Sequence, residues 1–265
     1  MQEQWTRLHS MDNLELLSIH NQSQAFPEHY HESFCISFIR CGLETIKMAN
    51  ESIFCPANAI SLTNPFEIHA NPIESGKQHL SFDTLYLSQD IVDHYLGRKK
   101  SSFHQRVYTN AQVLAAFEDI KRGMKEADSR QTLRNSLPYF LQLLLQSDKL
   151  HPGKDIVQKD AKWSELILYI DQHLKHKLSL EILADFVHMD KYHFSRSFRR
   201  KFGMSPINYV LMKKVFAAKK QIRKESELVG IAYDFAFADQ AHFSKTFKKF
   251  IGLSPNSYKK SLYKN

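Results

Sequence analysis

The chain has 265 residues, 43% of them hydrophobic and 24% charged, with a formal net charge of +8. That length admits two domains, and that composition excludes a disordered chain. The polar opening of residues 1–7, and apolar runs far short of about 18 residues, argue against a secretory signal or a membrane span, so a soluble, cytoplasmic protein is expected.

From residue 15 to about 90 the sequence reads as short apolar or alternating segments, at 34–39, 60–62 and 80–87, broken by Asn58, Asn64-Pro65, Asn71-Pro72 and Ser75-Gly76. Short strands at such intervals predict a β-sandwich or barrel. Cys35, Cys41 and Cys55 are odd in number and lack C-x-x-C spacing, which predicts reduced core thiols rather than a disulfide or zinc site. After Asn110 the period changes. Val113, Leu114, Phe117 and Ile120 mark one helix, and Leu133, Leu137, Phe140, Leu141 and Leu144 mark a second, which carries Pro138 inside it. This second helix is apolar over most of its circumference at 137–145, which fits either packing on its own barrel or a homodimer interface that also packs on the barrel, through Leu137, Leu141, Leu144 and Leu145.

The polar stretch 147–155, with Pro152-Gly153, reads as a linker, giving an N-terminal domain over 1–150 and a C-terminal domain over 155–265. Charge divides with the domains: from Asp155 onward 21 Lys plus Arg face 11 Asp plus Glu, a net +10, leaving −2 for residues 1–154. That asymmetry points to a polyanionic partner for the C-terminal half alone. Residues 163–174 form an amphipathic helix, and Ser179 caps another.

One segment is then written twice. Residues 192–200, YHFSRSFRR, return as AHFSKTFKK at 241–249, and each copy runs into Gly-x-Ser-Pro, at Gly203 to Pro206 and at Gly252 to Pro255. Phe194 with Phe198, and Phe243 with Phe247, recur at helical spacing and mark buried stripes, while Arg196 and Arg199, or Lys245 and Lys248, project elsewhere. Each copy follows a short helix and a tight turn, at 188–190 and 236–238, which is the grammar of a helix-turn-helix unit.

These residues, with the stretch 178–184 and the closely matching 231–249, resemble the AraC/XylS family of bacterial transcription regulators. The resemblance implies two helix-turn-helix units joined by one long helix, here 206–224, with His188 and Ala236 standing where the family usually has a turn glycine. It implies double-stranded DNA as partner, with contacts from Lys191, Tyr192, Ser195, Arg196 and Arg199 in the first unit, Gln240, Ala241, Ser244, Lys245 and Lys248 in the second, and Lys214 on the connecting helix. The stretches 29–34 and 64–70 resemble, more weakly, the cupin-type barrel that many members use for effectors, so His29, His31, Glu32 and His69 are candidate effector contacts.

The whole predicts an α+β, two-domain protein: a cupin-like β-barrel with two following helices, then an all-α, seven-helix, double helix-turn-helix domain. The function expected is an effector-responsive, sequence-specific DNA-binding regulator, a homodimer with RNA polymerase as a further partner if it activates, without catalysis, cofactor or metal. His29, His31, Glu32 and His69 also admit readings as metal ligands or as ordinary structural histidines, because neighbouring i and i+2 strand positions share a side. The alternative is a metal-dependent cupin enzyme with an appended DNA-binding module. The carboxylate such an enzyme carries after its second histidine has no counterpart at Cys35-Ile36.

Overall fold

The structure is a computed structural model and describes residues 2–8, 14–49, 51–73, 79–125, 130–148 and 161–262. The expected linker lies largely outside the described residues. By contacts the chain forms two compact units, one of residues 1–25 and 30–154 and one of residues 155–265 together with Phe26–His29.

The first 147 residues carry strands β1 (Gln2–Leu8), β2 (Leu14–Gln22), β3 (Phe26–His29), β4 (Ser33–Cys41), β5 (Leu43–Lys47), β6 (Ser52–Pro56), β7 (Ala59–Thr63), β8 (His69–Asn71) and β9 (Leu80–Ser88), then helix α1 (Gln89–Leu96), strand β10 (Val107–Tyr108) and helices α2 (Ala111–Lys125) and α3 (Arg130–Ser147). Among the described residues the strands form two sheets, ordered β1-β2-β9-β4-β7-β10 and β3-β8-β5-β6.

The register sorts the side chains of β4, β7 and β9 onto two faces. Phe34 pairs with Leu87, Ile36 with Leu85 and with Leu62, and Phe38 with Ile60, so one face is continuously apolar. That face packs on Val113, Phe117, Leu137, Phe140, Leu141 and Leu144 of α2 and α3. The residues between point the other way. Cys35, Ser37, Thr63, Ser61, Thr84 and Tyr86 are paired across β4, β7 and β9 on the opposite face, toward the smaller sheet. The Ser61 hydroxyl crosses the gap to donate to Oε2 of Glu44 on β5 at 2.5 Å.

The leucine face of α3 is thereby resolved. Leu137, Leu141 and Leu144 are fully buried within their own unit, and Leu145 packs against the same core. Leu137, Leu141 and Leu144 therefore leave no surface for a partner copy, whereas Leu145 is half-buried. Pro138 lies inside α3, which continues to Ser147. Among the cysteines, Cys35 and Cys55 are buried as expected, but Cys41 at the end of β4 is exposed.

Asp83, paired with Phe38, places an acidic group on this apolar face. Burial pushes its carboxyl up, but Lys121 Nζ at 2.6 Å, the Ser18 hydroxyl at 2.5 Å and Arg40 Nε at 2.6 Å outweigh it and hold the group ionised, below the usual range. This network ties α2 to the sheet.

The C-terminal unit is helical among the described residues: α4 (Ala161–Gln172), α5 (Leu180–Phe186), α6 (Lys191–Phe202), α7 (Pro206–Gln221), α8 (Leu228–Asp234), α9 (Gln240–Ile251) and α10 (Pro255–Leu262). Trp163 anchors the first half, stacked on Phe194 at 6.2 Å and edge-on to Phe198 and Phe202. Helix α7 stops at Gln221, three residues before the expected end, because Ile222 takes an extended backbone conformation.

Candidate nucleic-acid interface and sensor site

The repeated Gly-x-Ser-Pro is a compact helix-to-helix joint. Gly203 closes α6 in the left-handed region at φ 71°, Ser205 accepts a hydrogen bond from the Asn208 amide, and Pro206 occupies the first turn of α7. In the second copy Gly252 closes α9 at φ 89°, and Ser254 accepts from the Ser257 amide at the start of α10. The same chemistry therefore fixes the exit of both basic helices.

Their entries are fixed by aspartates. Asp190 accepts from the amides of Tyr192 and His193, each at 3.0 Å, and Asp239 from the His242 amide at 2.6 Å. The hydrogen bond from the His193 amide is the main reason the Asp190 carboxyl lies below its ordinary range. Before each helix the chain turns through a left-handed residue: His188 and Ala236 both have φ 52°. The two positions adopt the backbone that glycine would take without strain.

Phe194 and Phe198 of α6, and Phe243 and Phe247 of α9, are fully buried. The opposite faces are open. Lys191, Tyr192, Arg196 and Arg199 are exposed and Ser195 is half-buried on α6; Gln240, Ala241, Lys245 and Lys248 are exposed and Ser244 is half-buried on α9. Tyr192, 72% exposed, holds an aromatic ring off the first turn with Lys191 Nζ 5.5 Å from its centroid. His193 and His242 share that exposure and were not singled out from the sequence, although their recurrence in both copies was the available signal.

Lys214 departs from expectation. It is 4% exposed, and its ammonium donates to the carbonyl oxygens of His176 at 2.8 Å and Phe235 at 2.9 Å. A phosphate cannot reach it there. His176 lies just after α4 and Phe235 ends α8, so one cation on the connecting helix ties together the supports of both units. Burial lowers its pKa to about 8. Its neighbour Lys213 is also buried, paired with Asp171 at 2.9 Å.

Of the N-terminal candidates, the structure brings His31 and His69 together, places His29 at the end of β3, and leaves Glu32 half-buried just before β4. The His31 ring meets His69 at 5.6 Å and Tyr86 at 5.4 Å between centroids. Burial holds His69 below the ordinary histidine range, so its imidazole is neutral near pH 7. Glu44 was missed by sequence reasoning. It accepts from Ser61 and Asn71, and burial nevertheless pushes its pKa up to about 7.

Two family models match the chain. Residues 13–142 match the AraC-like ligand binding domain, and residues 183–261 match a helix-turn-helix domain. The HTH-type transcriptional regulator YbfI of Bacillus subtilis, itself uncharacterized, is 24% identical over 219 residues, 79% of this chain and 78% of its own length. The bifunctional transcriptional activator/DNA repair enzyme AdaA of the same organism is 38% identical over 72 residues, 27% of this chain and 34% of its own length. Among solved structures, ToxT from Vibrio cholerae O395 superposes with a TM-score of 0.57 at 12% identity over 100% of this chain and 98% of that one. Wild-type ToxT bound to an unsaturated fatty acid gives the same TM-score and identity over 99% and 95%. With an AraC-like ligand-binding domain followed by a helix-turn-helix domain, the chain belongs to the AraC family of DNA-binding transcription regulators.

Proposed function

We propose that this regulator reads two successive major-groove segments, one with α6 and one with α9, under the control of a small molecule bound between the sheets of the N-terminal unit. The observation that carries the reading is the equivalence of the two helices: each has a buried phenylalanine pair, an aspartate cap, a glycine exit and an open cationic face. Helix α7, at 16 residues, is about 24 Å long at 1.5 Å per residue, comparable with the roughly 34 Å between equivalent groove faces once helix offsets are added. Arg196 suits guanine and Gln240 suits adenine, so the two segments differ in sequence. Lys191, Arg199, Lys245 and Lys248 supply salt-dependent phosphate contacts.

The effector reading is supported by the polar face that β4, β7 and β9 turn toward the smaller sheet, and by the fatty-acid complex of the ToxT neighbour, which shares the fold. A homodimer, if formed through α3, uses its outward side near the exposed Tyr139 rather than the buried leucines. RNA polymerase is the further partner of an activator. Catalysis has no part in this reading. The test is footprinting of the full chain on selected DNA. Arg196→Ala should cost about 1–3 kcal/mol and relax preference in one segment only, whereas Lys248→Ala should weaken all sequences alike. Protection confined to one groove segment would defeat the two-helix reading.

A further inference from the structure

We infer that Glu44 anchors a site for an amphipathic effector, a protonated amine carried on a short apolar body. The inference rests on the reading of the N-terminal unit as the sensor, and it names the chemical class that sensor accepts.

The first observation is a missing counter-charge. A carboxylate taken out of water needs a cation or several strong donors. Asp83 has Lys121 and Arg40, and the buried Asp148 has the backbone amides of His104 and Gln105. Glu44, 5% exposed, has the Ser61 hydroxyl at 2.5 Å on Oε2 and the Asn71 side-chain amide at 3.1 Å on Oε1, both neutral. Among the described residues the buried lysines are Lys213 and Lys214, both on α7, and no arginine is buried. An ionised carboxylate offers about four lone-pair positions, so one remains open on each oxygen of Glu44. An ammonium supplies donors for both and the charge that the interior lacks. A carboxylic-acid effector would instead set like charges against each other.

The register supplies the apolar body. Across β9, β4 and β7 the inward row that contains Ser61 continues through Ser37 and Thr84, whose hydroxyls are 2.7 Å apart. Two residues along, the next inward row is Ala59, Ile39 and Phe82, all buried. The hairpin of β5 and β6 is graded too: Glu44 pairs with Cys55, and two residues away Ile46 pairs with Ile53, both buried. Two strand residues span about 7 Å. Apolar side chains therefore begin about 7 Å from the Glu44–Ser61 contact on both sheets.

The groups around Glu44 leave it as the one that responds to pH. Burial keeps the Cys55 thiol on β6 protonated and the His69 imidazole on β8 neutral, and Glu15 sits on β2, three strands from Ser61. Glu44 itself changes charge at about pH 7, and an alkylamine stays protonated there.

The test titrates hexylamine, hexanol and hexanoate into the full chain by calorimetry and measures DNA affinity in the same samples. Hexylamine should bind once per chain, at least about tenfold more tightly than the other two, and its affinity should rise about tenfold from pH 6 to pH 8 as Glu44 ionises. Glu44→Gln should remove both the preference and the pH dependence, whereas Glu51→Gln, exposed between β5 and β6, should match wild type. The comparison of three probes on wild type decides the matter even if Glu44→Gln fails to fold by circular dichroism. No saturable hexylamine binding, hexanol or hexanoate bound as tightly as hexylamine, or binding undiminished in folded Glu44→Gln overturns the inference. DNA affinity separates the two readings. Hexanoate that binds and shifts DNA affinity where hexylamine does not removes the amine class and keeps the sensor; selective hexylamine binding with DNA affinity unchanged keeps the amine site and removes the sensor.

Discussion

Replacing Lys214 with Met keeps most of the side-chain volume and removes the ammonium that serves two buried carbonyls. Hydrogen bonds from a charged group contribute about 1.5–3 kcal/mol each, and leaving a buried acceptor unserved costs about 1–3 kcal/mol. The thioether relieves the burden of a buried charge, so the net loss should be about 2–4 kcal/mol rather than the full sum. Urea unfolding of the C-terminal unit can be followed by Trp163, which packs against three phenylalanines, in a Trp5→Phe background that silences the second of the chain's two tryptophans. The pH dependence gives an independent check. The folded pKa is about 8 against an ordinary 10.5, so between these values the unfolded chain binds more protons and stability rises with pH. A neutral amine still has two N–H donors, one for each carbonyl, so the bonds survive deprotonation. Wild type should therefore gain stability from pH 8 toward pH 10, and Lys214→Met should lack that gain. A phosphate-contacting Lys214 would behave otherwise: its loss would lower the salt slope of DNA binding by about 1 with stability unchanged. Stability within about 0.5 kcal/mol of wild type would refute the structural account.

Three further substitutions test the fold. Glu44, with its pKa raised by burial from the ordinary 4.5 to about 7, binds its proton more tightly folded than unfolded, so stability should fall by roughly 3 kcal/mol as pH rises from 4.5 through 7. Glu44→Gln should flatten that slope in denaturant midpoints measured at pH 5 and pH 8, and an unchanged slope would acquit Glu44. Leu141→Glu places a charge in the core beneath the larger sheet and should cost about 4 kcal/mol or more, giving an unfolded N-terminal unit by circular dichroism; a folded monomer in the ultracentrifuge would instead mark Leu141 as an interface residue. Ala236→Gly relieves a left-handed alanine at φ 52° and, after the added flexibility of the unfolded chain is deducted, should stabilise the C-terminal unit by about 0.5–1 kcal/mol in the same Trp163 assay.

What was legible in the sequence is what short-range chemistry decides. Asp190, Ser205 and Pro206 act within one helical turn of themselves, and Gly203 only has to accept a left-handed backbone, so the duplicated pattern announced both basic helices and their ends. The phenylalanine spacing decided which faces were buried for the same reason. The partner of each buried surface was not legible. Leucines around α3 required burial on more than one side, but only the sheet register, which pairs Ile36 with Leu62 and Leu85, shows that the chain itself supplies enough apolar surface. His29 and His31 were visible as a pair in the sequence, while the meeting of the His31 and His69 rings joins positions 38 residues apart that no local pattern links.

Lys214 shows where a charge-based reading of a helix fails. Tyr209, Val210, Met212, Val215 and Ala218 are all buried on α7, and at 100° per residue they cover nearly every direction around its axis. A helix apolar on so many sides runs through the middle of its domain, where a cation must find acceptors inside the protein. The carbonyls of His176 and Phe235 are those acceptors, 38 and 21 residues away in sequence. The apolar pattern around Lys214 thus held the information that the basic count concealed: cations on α6 and α9 face outward because phenylalanines claim one side only, whereas α7 leaves its lysines at 213 and 214 no outward side.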